Sequence, residues 1–159
     1  MIRKQKGIAW FVLYPRYHSM RDLKKEVFKV LYLNSQNQII EVEDLFVGTV
    51  NASSIYPREV MMAAVKHGAV SLILVHNYPS GNPEPSANDR MLTRDLVYAG
   101  LIVQIKVLDH IIIGGDNYHS FAGEGLIEEY ELDFMNWRAR GTSEARKSRY
   151  RAGLSDPGP

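Results

Sequence analysis

Two side chains suited to metal chemistry stand close together in the middle of the chain, His76 and Asp89. An imidazole and a carboxylate converging on one point begin a metal site, and zinc accepts both ligand types. Ser86 precedes Asp89 by three residues and would set a hydroxyl beside the same point. The chain around them supplies the means of convergence. Val70 to Val75 is a short, apolar, partly β-branched run, which predicts a buried strand ending at His76. Asn77 to Pro85 carries Pro79, Pro83, Pro85 and Gly81, a constrained loop. Ser86 then stands ahead of Leu92, Leu96 and Ala99 at helical spacing, so it reads as an N-cap with Asp89 in the first turn. A strand end and a helix start joined by a stiff loop can bring His76 and Asp89 side by side.

The flanking stretches predict further elements. Met20 to Lys25 reads as the end of a short helix. Glu26 to Leu33 is rich in β formers and predicts a strand. Asn34 to Asn37 is a turn, and Gln38 to Val50 supplies one long or two short strands with a bend at Gly48, so the first strands form a hairpin. Asn51 to Tyr56 is a polar loop. Pro57 suits a first helical position, Val60, Ala64 and Val65 make the apolar stripe, and Gly68 ends that helix. Arg58 reads as a structural salt-bridge partner, or as a group reaching an anion, and His67 as a group capping the helix C-terminus. After the central motif, Leu101 to Val107 predicts one strand, Leu108 to Ile113 another, and Tyr118 to Phe121 a short last one. Asp109 and His110 open the second of these. They read either as a pair that orients a ligand from behind or as groups that satisfy backbone at a strand end.

The composition is that of one globular domain. The chain has 159 residues, 45% of them hydrophobic, a net charge of +1 and no cysteine. That size supports a substantial core. The near-zero charge gives the whole chain no electrostatic case for nucleic acid. Without cysteine there is no disulfide, no thiolate metal site and no cysteine nucleophile, which fits a reducing, cytoplasmic setting. No apolar run approaches a membrane span, and Ile8 to Leu13 is too short for a signal peptide. The expected organisation is a lead-in segment over 1–19, a main domain over 20–122, a helical basic extension over 123–151 and a flexible tail over 152–159. In the extension Leu126, Ile127, Tyr130 and Phe134 recur at helical spacing. From Arg138 to Arg151 six Lys or Arg face a single acid, Glu144. Such a run reads as a solvated helical arm or as a surface for nucleic-acid phosphates.

The order His76, Tyr78, seven residues, Ser86, two residues, Asp89 resembles the His-x-His-x7-Ser-x2-Asp signature of the JAB/MPN metallopeptidases, the JAMM motif. The words around it are similar to one branch, the RadC family: HNYPSGNPEPS resembles its His-Asn-His-Pro-Ser-Gly-Asp-Pro-x-Pro-Ser run, and VGTVNASSIYPREV and LDHIIIG resemble other segments of it. The likeness spans roughly residues 14–151. It implies an α/β fold, a cytidine-deaminase-like mixed β-sheet packed with helices. It implies zinc held by His76 and Asp89, with position 78 as the remaining ligand, and hydrolysis of an amide or isopeptide bond by metal-activated water. It assigns Glu26 as general acid/base and Ser86 as the donor to the developing oxyanion. On spacing alone Glu26 reads as a solvated strand-edge carboxylate. The family's name attaches it to DNA repair, and its chains often carry a helix-hairpin-helix module upstream that is not read in this sequence.

At position 78 the family's histidine is a tyrosine. A phenol with a pKa of about 10 is a poor zinc ligand at neutral pH. Three outcomes stay open: zinc is lost and the fold binds a peptide or protein without cutting it; a metal binds weakly through His76, Asp89 and water; or Tyr78 serves as a phenolate ligand. The function read from the sequence is therefore a RadC-type JAB/MPN zinc metallohydrolase-like protein. Its alternatives are a non-catalytic interaction module, or a nucleic-acid-associated protein working through 138–151.

Overall fold

The structure, a computed structural model, describes residues 18–48 and 55–153. The lead-in up to residue 17, positions 49–50 at the end of the predicted second strand, positions 51–54 of the polar loop and the end from 154 lie outside the described residues. The elements in chain order are β1 (Glu26–Leu33), β2 (Ile39–Gly48), α1 (Pro57–His67), β3 (Ser71–Asn77), α2 (Ala87–Val103), β4 (Lys106–Gly114), β5 (Asn117–Ser120) and α3 (Leu126–Arg151). A helical turn over residues 18–21 precedes β1. The five strands form one mixed sheet in the order β2-β1-β3-β4-β5, in which only β3 and β4 run parallel. The α/β expectation holds, and the β3-α2-β4 crossover is the unit that parallel pairing demands.

The sheet packs on both faces. Phe28, Val30, Tyr32, Leu72, Leu74 and Ile112 meet the buried stripes of α1, α2 and the start of α3. Leu31, Leu33, Ile73, Val75, Ile111 and Ile113 pack with Met20 on the other side. That double burial explains why β3 reads as a continuous apolar run and is buried along its whole length.

Local signals set most boundaries. Pro57 opens α1 and Gly68 closes it in the left-handed region at φ 68°. Asn34 makes the β1–β2 turn by accepting from the Gln36 and Gln38 amides, both at 3.0 Å. Two expectations change. The predicted strand from Leu101 to Val107 is split: α2 continues to Val103, Gln104 ends it at φ 62°, and β4 begins at Lys106. The run is apolar and β-branched enough to suit either state, and Gly100 decides it. A Cβ there would lie 2.2 Å from the Ile105 carbonyl, so glycine lets the helix end fold back on itself. The two predicted strands are thus one, with Asp109 and His110 inside it.

His67 and Arg58 also differ from expectation. His67 Nε2 meets Glu43 Oε1 at 2.6 Å, across to β2, and its ring lies 5.4 Å from that of Tyr32. Arg58 lies over the Tyr56 ring at 4.8 Å. α3 is a single helix of 26 residues. Ile127, Tyr130 and Phe134 bury its first turns, whereas residues 135–151 are exposed throughout. Among the described residues no helix is long and apolar enough to cross a membrane.

Candidate functional site

The helix-covered face of the sheet turns polar at the C-terminal end of β3. His76 ends that strand's apolar series and is 1% exposed. It stands opposite Phe28 of β1 and Ile112 of β4. The loop after it is pinned at several points. Tyr78 N donates to Ile113 O at 2.7 Å, and Gly81 N donates back to Tyr78 O at 3.0 Å. Gly114 lets the loop lie against the end of β4, since a Cβ there would be 2.6 Å from Pro83 N. The loop then delivers Ser86 as the N-cap of α2. Ser86 Oγ accepts from Asp89 N at 3.1 Å, and Asp89 Oδ2 accepts from Ser86 N at 2.8 Å, a reciprocal capping box.

The structure brings Glu26, His76, Tyr78, Ser86 and Asp89 together. Asn77 sets Glu26 in place: its Oδ1 accepts from Val27 N at 2.6 Å and its Nδ2 donates to Lys25 O at 3.0 Å. Glu26 Oε1 then meets His76 Nε2 at 2.5 Å. Tyr78 donates its hydroxyl to Asp89 Oδ2. Ser86 Oγ donates to the same oxygen at 2.7 Å. Burial raises the Tyr78 phenol to about 12, and its bond to Asp89 adds to the rise. Burial alone would also raise the Asp89 carboxyl, but His76, Tyr78 and Ser86 outweigh it and hold that group well below the usual carboxylate range. Tyr78 therefore stands in the site as a neutral donor to Asp89. Ser86 likewise spends its hydroxyl hydrogen on Asp89 rather than keeping it for an oxyanion.

One residue enters the site that the motif does not contain. His110 is fully buried, 4.9 Å from the Phe121 ring and 6.1 Å from that of His76, parallel to both within about 20°. Its Nδ1 meets Thr93 Oγ1 at 2.7 Å. Ligand atoms of His76, Asp89 and His110 all lie within 4.8 Å of one another. His76 Nδ1, Asp89 Oδ1 and His110 Nε2 are buried without a hydrogen-bond partner. These orphaned atoms are two imidazole nitrogens and one carboxylate oxygen, a donor set that fits zinc. At the outer edge of the same motif, by contrast, Glu26, His76 Nε2, Tyr78, Ser86 and Asp89 Oδ2 satisfy one another.

Asp109 does the other work considered for the pair. It accepts from His110 N at 2.7 Å, Ala122 N at 2.9 Å and Ser120 Oγ at 2.6 Å, which ties β4 to the turn before α3. Burial raises its carboxyl to about 6, against the pull of those bonds. Burial lowers His110 to about 3, helped by the nearby His76.

These shifts predict an unusual acid profile for the metal-free chain. His110 contributes stability that is complete above its ordinary 6.5 and is lost as pH falls toward 3. Asp109 acts in the opposite sense: stability returns as pH falls from about 6 to its ordinary 3.8. Each carries about 1.4 kcal/mol per pH unit, so they offset between roughly pH 6 and 4. Below that window His110 and Asp89 lose their contributions together. Urea midpoints should stay near level down to about pH 4 and then drop. Asp109→Asn should start the decline near pH 6.5 instead. An even decline in the parent chain from that pH would contradict the offset.

A strand with His76 next to its last residue, a stiff loop and a helix whose first turn holds Asp89 fit a JAB-type domain. A family model for the RadC-like JAB domain matches residues 11–126. The chain belongs to the RadC-like JAB domain family. It is 55% identical to UPF0758 protein PSHAa2643 of Pseudoalteromonas translucida over 108 residues, 68% of this chain and 48% of the relative. It is 47% identical to UPF0758 protein YeeS of Escherichia coli over 118 residues, 74% of this chain and 76% of the relative. A UPF0758 protein of Methanosarcina acetivorans is 47% identical over 119 residues, 75% of this chain and 51% of the relative. The chain thus spans about half the length of most of these relatives.

Proposed function

We propose that this chain is a JAB-type domain, of metallohydrolase descent, in which Tyr78 closes the hydrolytic edge of the motif, so that the domain holds a peptide or protein segment without cutting it. The bond from the Tyr78 hydroxyl to Asp89 Oδ2 carries this reading. A catalytic zinc needs three protein ligands and an open position, and bound there it would supply a Lewis acid that lowers the pKa of water. Here the residue at the second histidine's place offers a proton rather than a lone pair. Glu26, the group that would take a proton from water, has one oxygen engaged on His76.

What supports binding is the loop itself. Pro79, Ser80, Gly81, Asn82 and Glu84 are exposed, yet the backbone beneath them is fixed by three prolines, Gly114 and the Ile113 carbonyl. A preformed surface binds a partner at a low ordering cost. A second reading, residual hydrolysis, is favoured by the assembly of Glu26, His76 and Asp89 in one place.

The test uses the full chain supplied with zinc and peptides selected for binding from a random library. Binding should persist in Glu26→Gln within a few-fold, and release of amine from those peptides should stay at the uncatalysed rate. Amide hydrolysis by the parent chain that a chelator stops and Glu26→Gln abolishes would overturn the proposal in favour of the second reading.

A further inference from the structure

We infer that His76, Asp89 and His110 form a closed, structural site for a divalent cation of the zinc type, in which His110 serves as a ligand from outside the sequence motif. The inference goes beyond the binding role above and does not depend on it, because it concerns the inner edge of His76 rather than the edge that Tyr78 closes.

The hydrogen bonds around the three residues determine where the lone pairs point. Glu26 meets His76 at Nε2, and a carboxylate only accepts, so that nitrogen carries a proton, while Nδ1 on the inner edge makes no hydrogen bond and lies 3.4 Å from Asp89 Oδ1. Thr93 donates its hydroxyl to the Asp89 carbonyl at 2.6 Å, so the same oxygen accepts from His110 Nδ1. His110 Nε2 is then left with its lone pair. These two nitrogens and Asp89 Oδ1 are all buried without a hydrogen-bond partner. Buried polar atoms left without partners are unfavourable, and a cation held between the three residues satisfies them at once.

The dimensions agree. Metal bonds of about 2.1 Å in tetrahedral array set ligand atoms roughly 3.4 Å apart. His76 Nδ1 and Asp89 Oδ1 already stand 3.4 Å apart, and the three residues offer one ligand atom each within 4.8 Å of one another. Each ligand also has an outer partner that holds its orientation: Glu26 for His76, Thr93 for His110, Tyr78 and Ser86 for Asp89. In this arrangement Tyr78 positions a ligand instead of being one. None of the three residues is more than 1% exposed, as befits a structural centre. Such a cation would tie β3, α2 and β4 together at the end of the sheet.

The experiment uses the full chain stripped by chelator and then given zinc or cadmium alone. One zinc per chain should bind and raise the melting temperature. Cadmium NMR on chain labelled at its imidazole nitrogens should show coupling to two rings, His76 and His110. Tyr78→Phe should keep the two-ring signature. His110→Phe, chosen to preserve volume against Phe121, should lower zinc affinity by about a hundredfold or more, since loss of an outer partner alone costs 10–100-fold. Cadmium coupled to one ring, or zinc binding that survives in folded His110→Phe, would overturn the assignment. So would a parent chain that binds no zinc and carries a proton on His76 Nδ1. None of these outcomes touches the hydrolysis assay, so this inference and the binding role fail separately.

Discussion

Tyr78→His is expected to give the chain chelator-sensitive amide hydrolysis that the parent lacks, through zinc held at the outer edge by the new imidazole. The change removes a hydroxyl that burial and Asp89 keep protonated up to about 12. It substitutes an imidazole whose ordinary pKa of about 6.5 leaves it a neutral ligand at pH 7. It also frees Asp89 Oδ2 of one of its three donors, the other two coming from Ser86. Glu26 is already carried to the site by the Asn77 clasp on Val27 and Lys25. Glu26→Gln in the Tyr78→His background should then lower the rate by about 10²–10⁴-fold, the usual worth of a general base. Steady-state release of amine, with and without chelator, measures both effects. If Tyr78→His stays inactive with zinc supplied, the phenol is not what closes the edge.

Asp89→Ala should be the costliest single change to the fold, about 3–5 kcal/mol, because it removes a buried charge from the centre of its partners. Asp89 is fully buried. Its Oδ2 accepts from the Ser86 amide, the Ser86 hydroxyl and the Tyr78 hydroxyl. Alanine leaves those three donors unpaired and undoes the capping box that starts α2. Asp89→Asn keeps the shape and one acceptor, so it should cost less. Urea unfolding at pH 7 with an unchanged slope gives the difference directly. A cost below about 1 kcal/mol for the alanine variant would mean that water replaces the carboxylate and that the site is open.

The parts of this domain readable from sequence are those governed by neighbours in the chain. Ser86 and Asp89 are three residues apart, so a capping box needs no knowledge of the rest of the molecule. Pro57 and Gly68 mark α1 for the same reason, and the apolar run before His76 marks β3. The end of α2 was not readable, because Leu101 to Val103 suits helix and strand alike. Only the approach of Gly100 to Ile105, a tertiary contact, separates them.

The sequence by itself put His76, Ser86 and Asp89 within reach of one another, because a strand end, a stiff loop and a capped helix can bring them together. It also determined that position 78 departs from its family. What the tertiary structure alone decided is which face His110 takes. The β3–β4 register shifts between Leu72 and Ile73, where Leu72 pairs with Val107 and Ile73 with Asp109, so Leu108 is an extra residue in β4. Strict alternation from Val107 would have aimed Asp109 at the site and His110 away from it. The bulge reverses that, seating His110 beside His76 and Asp89 while Asp109 holds the turn before α3. A bulge belongs to the pairing of two strands, and neither strand announces it alone.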